Sequence, residues 1–181
     1  MTRIKICGLT REEDVRVAAD LGAAYLGFHF ASGSPRRVTL EKARSLARCA
    51  RGALRVGVFV GESREEIEAA SEAASLDLAQ LHREAREEDL SLPVPIIAVV
   101  QVTPSGARRP AAEILTRCHA LLFDSDDGTR AGPRAPFDWS ALVADRSAVP
   151  VWLAGGLTPE NVAEAVRKVR PAGVDVASGV E

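Results

Sequence analysis

Cysteine is scarce in this chain and never clustered. Its three residues, Cys7, Cys49 and Cys118, are odd in number, far apart and without a Cys-x-x-Cys pair, which disfavours both a disulfide framework and a zinc site. Reduced thiols are the expected state. A charge excess is missing too, with 23 Lys plus Arg against 25 Asp plus Glu and a formal net charge of −2. Without a global field, neither nucleic acid nor an anionic membrane is an expected partner, and any anion must be held locally. No apolar run approaches the roughly 18 residues that a membrane span requires, and no basic leader precedes an apolar core. A soluble, cytoplasmic protein is expected. Repeats, low-complexity tracts and an interdomain linker are also lacking, and 181 residues suit one domain, so 1–181 reads as a single unit.

What is present is an alternation of short apolar or β-branched runs with helical patterns from end to end, the mark of βα units on a parallel sheet. Eight strands are expected: Arg3 to Cys7, Tyr25 to Phe30, Leu54 to Val60, Leu78 to His82, Pro95 to Val102, Ala120 to Ser125, Val149 to Ala154 and Gly173 to Ala177. Eight parallel strands imply a closed α/β barrel, the (β/α)8 or TIM architecture. Thr10 to Glu13 and Ser63 to Glu66 fit the Ser/Thr-x-x-Glu capping box that opens a helix. The third helix repeats its apolar face at Ile67, Ala70 and Ala74, and the seventh at Val162, Ala165, Val166 and Val169. Pro159 after Thr158 suits the first position of that seventh helix. Shorter helices are expected near Glu84 to Leu90, Ala111 to Cys118 and from Trp139, and Asp126 to Pro136 reads as a mobile loop on the active face. The eighth strand runs straight into Ser178-Gly179-Val180-Glu181, so the barrel is expected to lack its final helix. Outward Val174, Val176, Ile4 and Ile6 would then form an uncovered patch, for which a second copy of the chain or a further tail is the expected cover.

Because alternate strand residues face opposite ways, Ile4 and Ile6 outward put Lys5 and Cys7 inside the barrel. Asp175, between Val174 and Val176 on the strand that closes against the first, is expected to meet Lys5 in a buried ion pair. The same count turns Arg55 inward. Asp124 alternates with Phe123 and faces in at a strand's carboxyl end, where barrels place their chemistry, so Cys7 and Asp124 share one mouth. A thiol and a carboxyl group there suit a base and an acid, although a lone cysteine is more often a small buried hydrophobe and Asp124 is equally a loop cap. His82 shares the rim as a ligand contact or a plain loop histidine. No histidine is placed by sequence to act on Cys7. Glycine turns at Gly155-Gly156 and Ser178-Gly179 follow the seventh and eighth strands, where backbone amides commonly hold phosphate. Arg36, on a proline-stiffened loop, suits a planar carboxylate, although loop arginines are more often simply solvated.

In order along the chain, Lys5-Ile6-Cys7-Gly8, Gly27-Phe28 with Ser34-Pro35-Arg36, Arg55-Val56-Gly57-Val58-Phe59, Gln80-Leu81-His82, Leu121-Leu122-Phe123-Asp124, Phe137-Asp138-Trp139, Ala154-Gly155-Gly156-Leu157 and Val174-Asp175-Val176-Ala177-Ser178-Gly179-Val180-Glu181 resemble the phosphoribosylanthranilate isomerase family of tryptophan biosynthesis. The resemblance implies an Amadori rearrangement of N-(5-phosphoribosyl)anthranilate, a phosphorylated small molecule, with no metal or organic cofactor. It implies Asp124 as the general acid that opens the ribose ring and Cys7 as the base. It also implies Arg36 on the anthranilate carboxylate and the amides around Gly155, Gly156, Ser178 and Gly179 on the phosphate. Arg83 stands where the family often has glycine, Gly128-Thr129-Arg130-Ala131-Gly132-Pro133 departs from the usual sixth loop, and the strand at Ile96 to Val102 lacks the lysine common in relatives. A non-catalytic barrel remnant that binds sugar phosphates or a partner is the alternative. A barrel isomerase of histidine biosynthesis is disfavoured, since such relatives carry a carboxylate where this chain has Cys7.

Overall fold

The computed structural model describes residues 1–103, 106–107, 109–125, 138–142 and 147–181. Eight parallel strands close into a barrel: β1 (Arg3–Cys7), β2 (Tyr25–His29), β3 (Leu54–Phe59), β4 (Leu78–Leu81), β5 (Ile96–Thr103), β7 (Ala120–Ser125), β8 (Val151–Leu153) and β9 (Gly173–Val176). A two-residue strand, β6 (Gly106–Ala107), turns back antiparallel on the end of β5 and was not expected from sequence. The ring closes through β1 on β9 and β4 on β5. All eight expected barrel strands form, each within a residue or two of its expected ends.

The strands separate two apolar layers. Inside the barrel, Tyr25, Val56, Leu78, Ile97, Val99, Ala120, Leu122, Trp152 and Ala154 pack on one another. Outside, alternate residues such as Phe28, Phe59, Leu81, Val100, Phe123 and Val174 pack against the helices. The closed sheet hides both faces, so strand sequences read as nearly continuous apolar runs. Arg55 departs from its expected inward placement. It points outward, where its guanidinium donates to both carboxylate oxygens of Asp77 at 2.8 and 3.1 Å. Val56 takes the interior position, and Asp77 gives the guanidinium a partner that the apolar interior would not supply.

Helix α1 (Glu12–Asp20) starts without the expected box: Arg11 is its N-cap and makes no side-chain cap bond, although Glu12, Glu13 and Asp14 in the first turn oppose the helix dipole. Helix α2 (Leu40–Cys49) is capped by Thr39, which accepts from the Lys42 amide. Helix α3 (Arg64–Ala74) has both bonds of its Ser63–Glu66 box. Helix α4 (Ala112–Arg117) is short, and the segments near Glu84 and Trp139 are single 3-10 turns, Glu87–Ser91 and Trp139–Leu142. Helix α5 (Val162–Val169) starts later than Pro159 suggested, because Asn161 first closes a turn of its own. The loop Asp126 to Pro136 lies outside the described residues.

After β9 the chain forms a 3-10 turn, Ser178–Val180. The expected uncovered patch does not form as such. Val174 and Val176 are 3% and 8% exposed and belong to the outer core, Ile6 is half-buried, and only Ile4 is open. All three cysteines are unpaired and buried. Among the described residues, no helix is long and apolar enough to cross a membrane.

Candidate active site

Cys7 ends β1 inside the mouth of the barrel, opposite Gly27 of β2 in the parallel register. A Cβ at residue 27 would stand 2.7 Å from the Cys7 sulfur and 3.2 Å from Lys5 Nζ, so glycine there makes room for both. One layer down, Lys5 Nζ donates to Asp175 Oδ2 at 2.8 Å, with Lys5 wholly buried and β9 supplying the carboxylate by direct pairing of the two residues. Burial alone would lower the Lys5 amine, but the Asp175 carboxylate and Cys7 together outweigh it and hold the amine above its ordinary value. Burial, and then the same carboxylate, push the Cys7 thiol up to about 11, while Lys5 pulls the other way.

His29 reverses the expectation that no histidine attends Cys7. Its Nε2 lies 3.3 Å from Cys7 Sγ, and its Nδ1 lies 3.3 Å from Ser34 Oγ. Burial, and then the charges of Lys5 and Arg36, push this imidazole down to about 4. The placement follows from the parity that put Cys7 inside: Gly27 faces Cys7, Phe28 faces the helices, and His29 returns to the interior at the rim. The loop after β2 folds back on the strand, with the Val38 amide donating to His29 O and the Arg37 amide to Ser34 O. Ser34 is thereby held over the imidazole.

Arg36, on this loop, reaches across to the turn after β9 and donates from Nε and Nη2 to the two carboxylate oxygens of Glu181 at 2.5 and 2.8 Å. Its fork already grips a carboxylate in the bidentate manner that such groups favour.

Asp124 enters from β7, three strands round the ring from β1. It is 8% exposed. Gly155, with φ of +82°, lies against it: a Cβ there would be 2.8 Å from Asp124 Oδ1. His82 Nε2 stands 4.0 Å from Asp124 Oδ2, so the rim histidine flanks the carboxyl group. Arg83 clamps Asp89 through two bonds of 2.8 and 2.6 Å, which anchors the 3-10 turn at Glu87–Ser91.

Both glycine turns lie side by side, since a Cβ at Gly179 would clash with the Leu157 carbonyl. Asn161 braces the first of them. Its Oδ1 accepts from the Thr158 amide at 2.9 Å and its Nδ2 donates to Gly156 O at 2.8 Å. Sequence reasoning passed over Asn161, although an amide side chain beside a Gly-Gly turn is a recognisable turn brace. A cavity of about 690 Å³ lies at the opposite end of the barrel, bounded by Arg3, Tyr25, His119, Trp152 and Arg170. None of the mouth residues lines it, and its chemistry is not that of an acid and a base.

A family model described as N-(5'phosphoribosyl)anthranilate (PRA) isomerase matches residues 4–181. A Streptococcus mutans protein named N-(5'-phosphoribosyl)anthranilate isomerase is 40% identical over 184 residues, a span covering 100% of this chain and 90% of the relative. The crystal structure of phosphoribosyl anthranilate isomerase from Thermotoga maritima is similar at a TM-score of 0.87 and 35% identity, covering 100% of this chain and 90% of that one. Another solved isomerase, in complex with reduced 1-(o-carboxyphenylamino)-1-deoxyribulose 5-phosphate, is 34% identical at a TM-score of 0.83, covering 100% of this chain and 89% of that one. Sequence order, barrel and full-length match agree, and the chain belongs to the N-(5'-phosphoribosyl)anthranilate isomerase family.

Proposed function

We propose that the mouth of this barrel carries out the family reaction of tryptophan biosynthesis, converting N-(5'-phosphoribosyl)anthranilate to 1-(o-carboxyphenylamino)-1-deoxyribulose 5-phosphate, with Asp124 as acid and Cys7 as base. Asp124 gives its proton to the ribose ring oxygen as the C1–O bond breaks, and the nitrogen lone pair forms a C=N bond to C1. The Cys7 thiolate then takes the proton from C2, and the C2–H electrons move toward C1 and nitrogen to leave an enolamine. Loss of the enol proton from oxygen and gain of one at C1 give the ketone. Carbon 1 is reduced and carbon 2 oxidised within one molecule, so no external electron carrier enters the balance.

Arg36 takes the anthranilate carboxylate, in the pose in which it now takes that of Glu181. The amides around Gly155, Gly156, Ser178 and Gly179 take the phosphate, and His82 borders the ribose beside Asp124. The Lys5 ammonium beneath Cys7 favours the thiolate that the base step needs. One observation carries this reading: Cys7 and Asp124 both face inward at the carboxyl end of the barrel, beside an arginine whose fork already holds a carboxylate.

Steady-state turnover of Cys7→Ser and Asp124→Asn tests the roles. Each is expected to lose roughly 10²- to 10⁴-fold in kcat, the worth of a positioned acid or base. Near-wild-type turnover in both folded variants would sink the assignment, and growth of a tryptophan auxotroph carrying the wild-type chain separates an enzyme from a binding remnant.

A further inference from the structure

We propose that His29, oriented by Ser34, is a positioning residue that donates a hydrogen bond from Nε2 to Cys7 Sγ and so stabilises the thiolate when it forms. The proposal rests on Cys7 as the base, and its geometry is a chain of three contacts. The Arg36 amide donates to Ser34 Oγ at 3.2 Å. Ser34 Oγ lies 3.3 Å from His29 Nδ1, and His29 Nε2 lies 3.3 Å from Cys7 Sγ. With the Ser34 hydroxyl hydrogen given to His29 Nδ1, as the proposal requires, the ring accepts at that nitrogen. A neutral imidazole that accepts at Nδ1 carries its hydrogen on Nε2, and that hydrogen points at the sulfur.

The chain runs in one direction, and each bond in it polarises the next toward the thiol. A thiolate accepts the last bond more strongly than a thiol does, because hydrogen bonds to a charged acceptor are about twice as strong as neutral ones. Such a bond lowers the pKa of the acceptor. Other charged groups bear on the same sulfur: Lys5 favours the thiolate, Asp175 opposes it, and Arg36 with its Glu181 partner borders the imidazole from the loop. A second ammonium would repel Lys5, whereas a neutral donor adds to it without charge. The loop bearing Arg36 is also the loop bearing Ser34.

The measurement is the pH dependence of Cys7 alkylation by iodoacetamide, read by mass spectrometry of the Cys7 peptide, alongside pH profiles of kcat/KM. Replacing the imidazole by an apolar group of similar size, His29→Leu, is expected to raise the apparent Cys7 pKa by about one unit or more and lower kcat at neutral pH at least about tenfold, with KM nearly unchanged. His29→Gln keeps an N–H donor and is expected to restore part of both. Ser34→Ala is expected to shift the thiol the same way by less. Thermal melting shows whether each variant is folded, and His29→Gln keeps the test open if His29→Leu is not. An unmoved Cys7 pKa in folded His29→Leu and His29→Gln overturns the proposal, and so does an equal shift in both. Failure of the underlying reading looks different: Cys7→Ser would then keep its turnover whatever His29 does.

Discussion

Lys5 has no exposed surface, and the Asp175 carboxylate 2.8 Å away is what makes its charge tolerable there. A pair of this kind adds little net stability over an apolar pair, but removing one member leaves the other charged, buried and unanswered. Lys5→Met is therefore expected to cost about 3–5 kcal/mol in urea unfolding, and adding Asp175→Asn to it to recover part of the loss. A double variant no more stable than Lys5→Met would show that packing, not the orphaned carboxylate, is what the lysine supplies. Next to this pair, Gly27 shows how one residue serves both layers of the site. Without a side chain it leaves space for the Cys7 sulfur above and the Lys5 ammonium below, so Gly27→Ala acts on both at once.

Among the elements, two helix starts with the same sequence pattern have different structures. Ser63 accepts from the Glu66 amide while Glu66 accepts from the Ser63 amide, but Thr10 makes no cap and Arg11 takes the N-cap position of α1. Ser63→Ala is expected to lower stability by about 1 kcal/mol and Thr10→Ala to change it by much less, a contrast measurable in parallel denaturant titrations. A capping pattern fixes only local preferences, and the chain leaving β1 sets the helix start one residue later, at Arg11. Period-two alternation reports more faithfully. It put Lys5, Cys7, Asp124 and Asp175 inside the barrel because their neighbours Ile6, Phe123, Val174 and Val176 are apolar and pack outside. It failed at Arg55 because Val56 and Val58 flank Gly57, so both faces of β3 look apolar and the charge alone does not choose a side. His29 was legible by the same count, one step beyond Gly27, yet its contact with Cys7 depends on the fold-back of the Ser34 loop. That fold-back is a tertiary fact with no periodic signal.

At the scale of the whole molecule, β1 against β9 joins the two ends of the described chain, and the described titratable groups with resolved shifts set where the closed barrel is stable. Residues 1–181 are expected to unfold in one transition, because opening the ring at any strand exposes both apolar layers. On the acid side, an unfolded histidine takes its proton near 6.5, but folded His29 does so only near about 4, and burial with Arg3 nearby also lowers His119. Between those values the unfolded chain binds more protons, so stability falls as pH drops below 6.5. Asp77 and Asp89 add to the loss below their ordinary 3.8: burial would raise both, but Arg55 and Arg83 hold them lower. On the alkaline side the sign reverses. Burial pushes the Cys7 and Cys118 thiols from 9.0 up to about 11, so above pH 9 the folded chain keeps protons that the unfolded chain releases, and Lys5 extends the loss beyond 10.5. Melting temperature is therefore expected to form a plateau between about pH 6.5 and 9 and to fall on both flanks, each shifted group contributing at most about 1.4 kcal/mol per pH unit within its window. His29→Gln removes one of these groups, so its acid flank is expected to be shallower than that of the wild type while its alkaline flank stays parallel. Acid flanks that coincide in the two proteins would mean that His29 is not held neutral in the folded barrel.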